Sequence, residues 1–236
     1  PAKEAVFNLP IRTVHINGRK GEMGVGSGIV QDSRWQEEFR ECCLKAKFFS
    51  DAACDFKLIE TIGWDKEYCF IGEHIARLKQ AAQHFGFVFM KKKIFERLKT
   101  LESRFVENNK YRIRLLLDRE GSLKFEYNRI SPCARSINYV AVSKYRMDPK
   151  DEFIYYKTTN RLVYDSEYAR YNALGYFDVL FLNTRNEFTE GAISNIIIQK
   201  KGKFFTPPLS SGILPGIYRG DLLRKRLAEE KRIFWQ

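Results

Sequence analysis

YYKTTNRLVYD (Tyr155–Asp165), FLNTRNEFTEGAISNIII (Phe181–Ile198) and TPPLSSGILPGIYRG (Thr206–Gly220) decide how this chain is read. The first stretch puts Lys157 directly after a strand-like apolar run, Phe153 to Tyr156. Burial disfavours the ammonium form of lysine, so an amine placed there has a lowered pKa and can attack carbonyls. A strand-end lysine can instead lay its stem along apolar surface and keep its charge in water. The residues that follow favour the first reading. Asp165 or Ser166 is a good cap for a helix ending at Gly175, Asp178 to Leu182 reads as a buried strand, and Asn183 to Asn186 as a turn. Ile196 to Ile198 is a further apolar strand, so Glu190 is an acid among small residues at a strand mouth. Leu214 to Arg219 opens a helix expected over Ile217 to Glu230, and the free N–H groups of a helix start suit a phosphate.

On these residues the sequence resembles the class IV (fold type IV) pyridoxal-phosphate enzymes, which comprise branched-chain and D-amino-acid aminotransferases and 4-amino-4-deoxychorismate lyase. Lys157 and Arg161 match a K-x-x-x-R context, and Glu190 and Asn195 match T-E-G-x-x-x-N. The resemblance implies that Lys157 carries pyridoxal 5'-phosphate covalently and serves as the catalytic base. It places Glu190 on the pyridine nitrogen, Asn195 in the same cofactor-binding segment, and the phosphate on the loop at Ile217 and Tyr218. The pairing is chemically sensible, because the cofactor is an electron sink only while its ring nitrogen stays protonated, and a carboxylate holds that proton. Tyr218 stands where many members have threonine, so the implied phosphate contact is through the backbone.

Upstream, LIETIGWDKEYCFIGEHIARLKQAAQHFGF (Leu58–Phe87) reads as strand, turn at Asp65-Lys66, strand and helix. Ile75, Leu78, Ala82 and Phe85 form its buried stripe and Gly86 its terminator. His74 to Leu78 resembles the family's H-x-x-R-L, which implies that Arg77 reaches the phosphate with a forked, permanently charged contact. The residues alone leave Arg77 a second reading, a surface pair with Glu73 at i−4, and leave His74 to packing or helix-start hydrogen bonding. Met90 to Glu107 reads as a helix with Ile94, Leu98, Leu101 and Phe105 on one face. Two strands flank Asp118 to Gly121, and Ile137 to Val142 is another.

The first residues, FNLPIRTVHINGRKGEMGVGSGIVQDSRWQEEFRECCLKAKFF (Phe7–Phe49), are similar to the carboxy-terminal end of a chorismate-binding domain. Ala5 to Ile16 reads as a strand, Asn17-Gly18 as a turn, and Trp35 to Phe48 as an amphipathic helix. The resemblance implies that Arg12, Gly26 and Gly28 line a chorismate site, that Glu38 and Glu41 bind magnesium, and that Lys45 completes the motif. Glu38 and Glu41 do share a helix face by spacing, which equally describes a solvated surface. Most of that domain is absent, so the segment is read as a remnant unable to catalyse alone, with no metal expected elsewhere.

The expected fold is therefore α/β (α+β), a two-domain class IV aminotransferase-like fold behind a chorismate-binding remnant. The divisions are 1–54 for the remnant, 55–148 for a small α/β domain and 149–236 for a larger cofactor-binding domain. Class IV enzymes usually continue through a further strand and a second phosphate-side loop, so this last domain reads as shortened, with exposed apolar surface near Phe234 and Trp235. A hydrophobic content of 44% over 236 residues is ample for a core. No apolar run reaches membrane-spanning length and the N-terminus shows no signal pattern, so a cytoplasmic location is expected. The five cysteines form no C-x-x-C pair. Forty-one basic against 29 acidic residues give +12, but scattered, which fits a small anionic substrate better than nucleic acid.

A chorismate-domain tail followed by a class IV domain resembles fused bifunctional chains of 4-aminobenzoate and folate synthesis. That order implies lyase chemistry, releasing pyruvate from 4-amino-4-deoxychorismate, and the family implies a homodimer. Two alternatives stay open: an aminotransferase for branched-chain or D-amino acids, and a non-catalytic remnant.

Overall fold

The computed structural model describes residues 13–18, 20–35, 37–39, 41–42, 56–131 and 138–235, and the chain divides into two compact units, Pro1–Asp55 and Phe56–Gln236. In the first unit, strands β1 (Val14–Asn17) and β2 (Lys20–Met23) form an antiparallel hairpin that turns through Gly18 at φ 60°. The described residues between 35 and 42 are helical, and the Ser33 hydroxyl ahead of them donates to Glu38 at 2.6 Å. The strand expected upstream of residue 13, the helix beyond residue 42, and Arg12 and Lys45 lie outside the described residues.

In the second unit, strands β3 (Leu58–Asp65), β4 (Glu67–Tyr68), β5 (Lys110–Leu117) and β6 (Leu123–Ile130) form an antiparallel sheet in the order β4-β3-β5-β6. Helix α1 (Ile71–Phe85) packs on β3 and buries Ile75, Leu78 and Ala82 of the predicted stripe, while Phe85 at its end is only half-buried, stacked on Phe153, before Gly86 ends the helix at φ 71°. Helix α2 (Lys91–Glu102) buries Ile94, Leu98 and Leu101 but stops short of the expected Glu107. The reason lies in the aromatic cluster. Phe105 leaves the helix to stack on Tyr111, ring centroids 4.4 Å apart, beside Trp64.

A second sheet joins β7 (Val140–Met147), β8 (Asp178–Asn183) and β9 (Phe188–Gly191), with β7 parallel and β9 antiparallel to β8. A parallel pair needs a crossover; here it contains a 3₁₀ turn (Glu152–Tyr155) and helix α3 (Leu162–Ala173). Both depart from expectation. The run Phe153 to Tyr156 is not a strand, because the Asp151 carboxylate accepts the Phe153 N–H at 3.1 Å and wraps the backbone, burying Phe153 and Ile154. Helix α3 starts ahead of both expected caps, and Asp165 sits in its first turn, where a carboxylate suits the helix dipole. The strand expected from Ile137 begins at Val140, Ile137 itself lying outside the described residues.

The last sheet pairs β10 (Ile198–Lys200) with β11 (Lys203–Thr206), and β11 in parallel with β12 (Glu229–Glu230). Its β10 begins at Ile198, not Ile196. Helix α4 (Ile217–Arg224) ends well before Glu230, because Arg226 adopts φ 55° and the chain returns as β12. Buried Arg219 fixes that return, donating to Glu230 at 2.5 Å and to the Pro207 carbonyl at 2.7 Å. Phe234 and Trp235 are exposed as expected, although the Trp235 ring meets Phe188 at 5.6 Å. No helix of the described residues is long and apolar enough to cross a membrane.

Candidate active site

One cavity of about 490 Å³ gathers Lys157, Glu190, Arg77, Asn195, Ile217 and Tyr218, contributed by four separated stretches of sequence. Lys157 reaches it because the segment after the 3₁₀ turn docks along the free edge of β3. The Ile59 N–H donates to the Lys157 carbonyl at 2.8 Å, the Thr159 N–H to the Lys57 carbonyl at 2.9 Å, and Leu58 bridges Thr158. These bonds satisfy backbone groups that would otherwise be orphaned and fix the lysine stem. The Lys157 amine makes no hydrogen bond or ion pair among the described residues. Burial, then the positive charges of Arg161 and Arg77, lower its pKa from 10.5 to about 8. Arg161 itself is tied down, with Nε on Asp165 at 2.7 Å and Nη2 on the Ala192 carbonyl.

Glu190, on β9, is buried, and that burial raises its carboxyl from 4.5 to about 7. Its carboxylate accepts the Tyr164 hydroxyl at 3.3 Å and the Asn195 amide at 3.3 Å. The same Asn195 amide donates to the Leu214 carbonyl at 3.2 Å, so it joins the acid to the loop that opens α4. Gly216 completes this join. A Cβ there would lie 1.7 Å from Asn195 Oδ1, a spacing no side chain tolerates. Behind β9, the buried Asp178 carboxylate accepts the Ser194 hydroxyl at 2.6 Å and holds the Gly191 to Ser194 turn.

Arg77 does not pair with Glu73, which bonds Arg224 at 3.1 Å instead. Its Nε and Nη2 fork onto Glu60 of β3 at 2.8 and 2.6 Å, and its Nη1 donates to the Pro215 carbonyl at 3.0 Å. His74 shares Glu60 through Nδ1 at 2.6 Å. Arg77 therefore stands against the residue before Gly216, where the first turn of α4 leaves the Ile217 and Tyr218 N–H groups without intrahelical acceptors. The Tyr218 side chain is exposed and its ring meets Phe70 edge-on.

Sequence reasoning missed Glu60, Tyr164 and Gly216. Glu60 carried a signal like that of Lys157, a charge in or beside an apolar run, whereas Tyr164 reads as ordinary helix core. It also missed a relation of register. Arg112 and Arg114 of β5 lie opposite Gly63 and Thr61 of β3, on the sheet face from which those two line the cavity. Glu38 and Glu41 belong to the other unit, and among the described residues no three His, Cys, Asp or Glu side chains are grouped as a metal would require.

Residues 57–233 match the family of class IV amino-transferases. The chain belongs to that family. Its members are pyridoxal-phosphate-dependent enzymes, and residues 1–51 match a second family, the chorismate binding enzymes. A Schizosaccharomyces pombe protein provisionally named aminodeoxychorismate lyase is 25% identical over 174 residues, 70% of this chain and 72% of that protein. Among solved structures, a Mesorhizobium loti protein provisionally named amino-acid aminotransferase superposes with a TM-score of 0.72 at 30% identity, covering 77% of this chain and 88% of that one. A Legionella pneumophila structure provisionally named 4-amino-4-deoxychorismate lyase gives 0.64 at 20% identity, covering 78% and 75%, which shows the fold alone. The mixed α/β class IV architecture expected from the sequence is thus the one found.

Proposed function

We propose that this chain binds pyridoxal phosphate and releases pyruvate from 4-amino-4-deoxychorismate, leaving 4-aminobenzoate. The observation that carries the cofactor reading is an unbonded lysine amine and a buried glutamate lining one cavity. The donor set fits the group: an amine for its aldehyde, a carboxylate for its ring nitrogen, and a guanidinium beside a helix start for its phosphate. Gly216, lacking a Cβ, gives the Asn195 side chain room to sit against that helix start and reach the Leu214 carbonyl. Lys157 would hold the cofactor, with Glu190 on the ring nitrogen and Arg77, Ile217 and Tyr218 on the phosphate.

When bound, the cofactor supplies an electron sink for the substrate carbon that bears the amine. Lys157 Nζ, with its pKa near 8, is partly neutral at physiological pH and takes the proton from that carbon as general base. The same amine then returns a proton to the departing enolpyruvate, and aromatisation of the ring drives the loss. Glu190 becomes an anion once a cation faces it, because an opposite charge reverses the effect of burial.

Support for the lyase reading comes from chain order, a chorismate-binding match followed directly by the class IV match, and from the relative that spans 70% of the chain. The aminotransferase reading rests on the structure that shares 30% identity. One assay separates them. Given 4-amino-4-deoxychorismate, the loaded protein should release pyruvate without any oxo-acid acceptor, read through lactate dehydrogenase. Glutamate formed from 2-oxoglutarate and an amino acid, with no pyruvate released, would replace the lyase by the aminotransferase.

A further inference from the structure

We infer that Glu60 is the positioning residue of the cofactor site: it fixes the Arg77 guanidinium so that its remaining N–H groups face the anion held at the start of α4. The inference rests on the reading of Arg77 as a phosphate ligand given above.

Glu60 is 1% exposed, on a strand whose neighbouring inward residues are Leu58, Ile62 and Trp64. A lone carboxylate there is costly, since burial works to raise its pKa. The forked bond from Arg77 and the bond from His74 outweigh that burial and hold the carboxyl below its usual range. What those bonds accomplish is geometric. A guanidinium carries its N–H groups in a rigid plane, so two bonds from Nε and Nη2 to one carboxylate fix that plane as well as its place. The third bond, Nη1 to the Pro215 carbonyl, ties the plane to the residue beside Gly216. One N–H each on Nη1 and Nη2 is then left over, on the edge of the fork facing away from Glu60's bidentate grip.

His74 completes the brace. Its Nδ1 at 2.6 Å from Glu60 Oε2 prevents the carboxylate from rotating away when Arg77 is pulled towards a ligand. Glu60 is also near enough to Lys157 for its charge to oppose the lowering of the amine pKa that Arg77 and Arg161 cause. A purely architectural ion pair between β3 and α1 would make the same bonds, so the two roles must be separated by ligands with and without a phosphate.

The experiment titrates cofactor-free protein with pyridoxal phosphate and, separately, with pyridoxal, following absorbance of the lysine adduct. Glu60→Gln keeps the shape but offers Arg77 one acceptor instead of two. It should weaken pyridoxal phosphate about tenfold and pyridoxal less than about twofold. In the Arg77→Ala background, Glu60→Gln should cause no further loss. Equal weakening of both ligands, or full additivity with Arg77→Ala, would overturn the positioning role. If Arg77→Ala alone leaves pyridoxal phosphate affinity unchanged, the phosphate reading of Arg77 fails first, and the inference falls with it. Should Glu60→Gln not be recovered folded, Glu60→Asp, which keeps the charge but shortens the reach by one methylene, carries the same comparison.

Discussion

Glu190 and Lys157 are both pushed towards neutrality by the wall of one cavity, the acid up to about 7 and the amine down to about 8. The acid's folded pKa lies above its ordinary 4.5, so its contribution to stability is complete below 4.5 and is lost as pH rises through 7. The amine's lies below its ordinary 10.5, so its contribution is present above 10.5 and is lost as pH falls through 8. Between those values the ligand-free protein has neither. Glu190→Gln should therefore stabilise the cofactor-free protein at about pH 7.5 by roughly 1–3 kcal/mol, and the gain should vanish below pH 4.5. Urea unfolding across pH measures both. A variant no more stable than the parent at the higher pH would mean that this carboxylate is comfortably solvated. Lys157 and Glu190 were legible from sequence because each charge sits in or beside an apolar run, where it needs a reason. Tyr164 was not, because a tyrosine on a helix core face needs none until its hydroxyl is seen on Glu190.

At the scale of elements, periodicity worked where one face is buried and the cap is local. Helix α1 shows both, from its stripe to Gly86. It failed where a side-chain bond or a distant strand decides the backbone. Asp151 turned an apolar run into a 3₁₀ turn, and the return of the chain to β11 cut α4 short of Glu230. Such bonds join residues that no sequence window contains, as with Arg77 and Pro215, 138 positions apart. The join between β9 and α4 is of this kind and can be tested. Gly216→Ala puts a methyl where Asn195 Oδ1 stands, 1.7 Å away, so Asn195 must move and release the Leu214 carbonyl or Glu190. The expected cost is about 1–3 kcal/mol of stability together with weaker cofactor binding. Adding Asn195→Ala should recover part of the stability but not the binding, seen by thermal unfolding and by titration. If Gly216→Ala alone is neutral in both, the loop has room that the geometry denies it.

For the whole molecule, the sign of the charge points to the ligand. The excess of +12 is spread over the sequence, but beside Gly63 and Thr61, which line the cavity, β5 places exposed Arg112 and Arg114, the latter opposite Glu126 of β6. Gly63 has no side chain to screen Arg112 from what occupies the cavity, and its position meets only Cys69, at 3.6 Å. The proposed substrate carries two carboxylates, whereas most amino acids that an aminotransferase would take carry one. Exposed charges act through solvent and are screened within about 10 Å at 0.1 M salt. Raising ionic strength from about 0.02 to 0.2 M should therefore lower kcat/KM for the dicarboxylate substrate several-fold, through KM and not kcat. Arg112→Gln and Arg114→Gln should each raise KM about three- to tenfold and flatten that salt dependence, while a single-carboxylate amine donor responds less. Steady-state kinetics at the two salt concentrations decides the matter. If both variants keep the parent's KM and salt slope, the arginines belong to the general surface charge and play no part in drawing the substrate to the cavity.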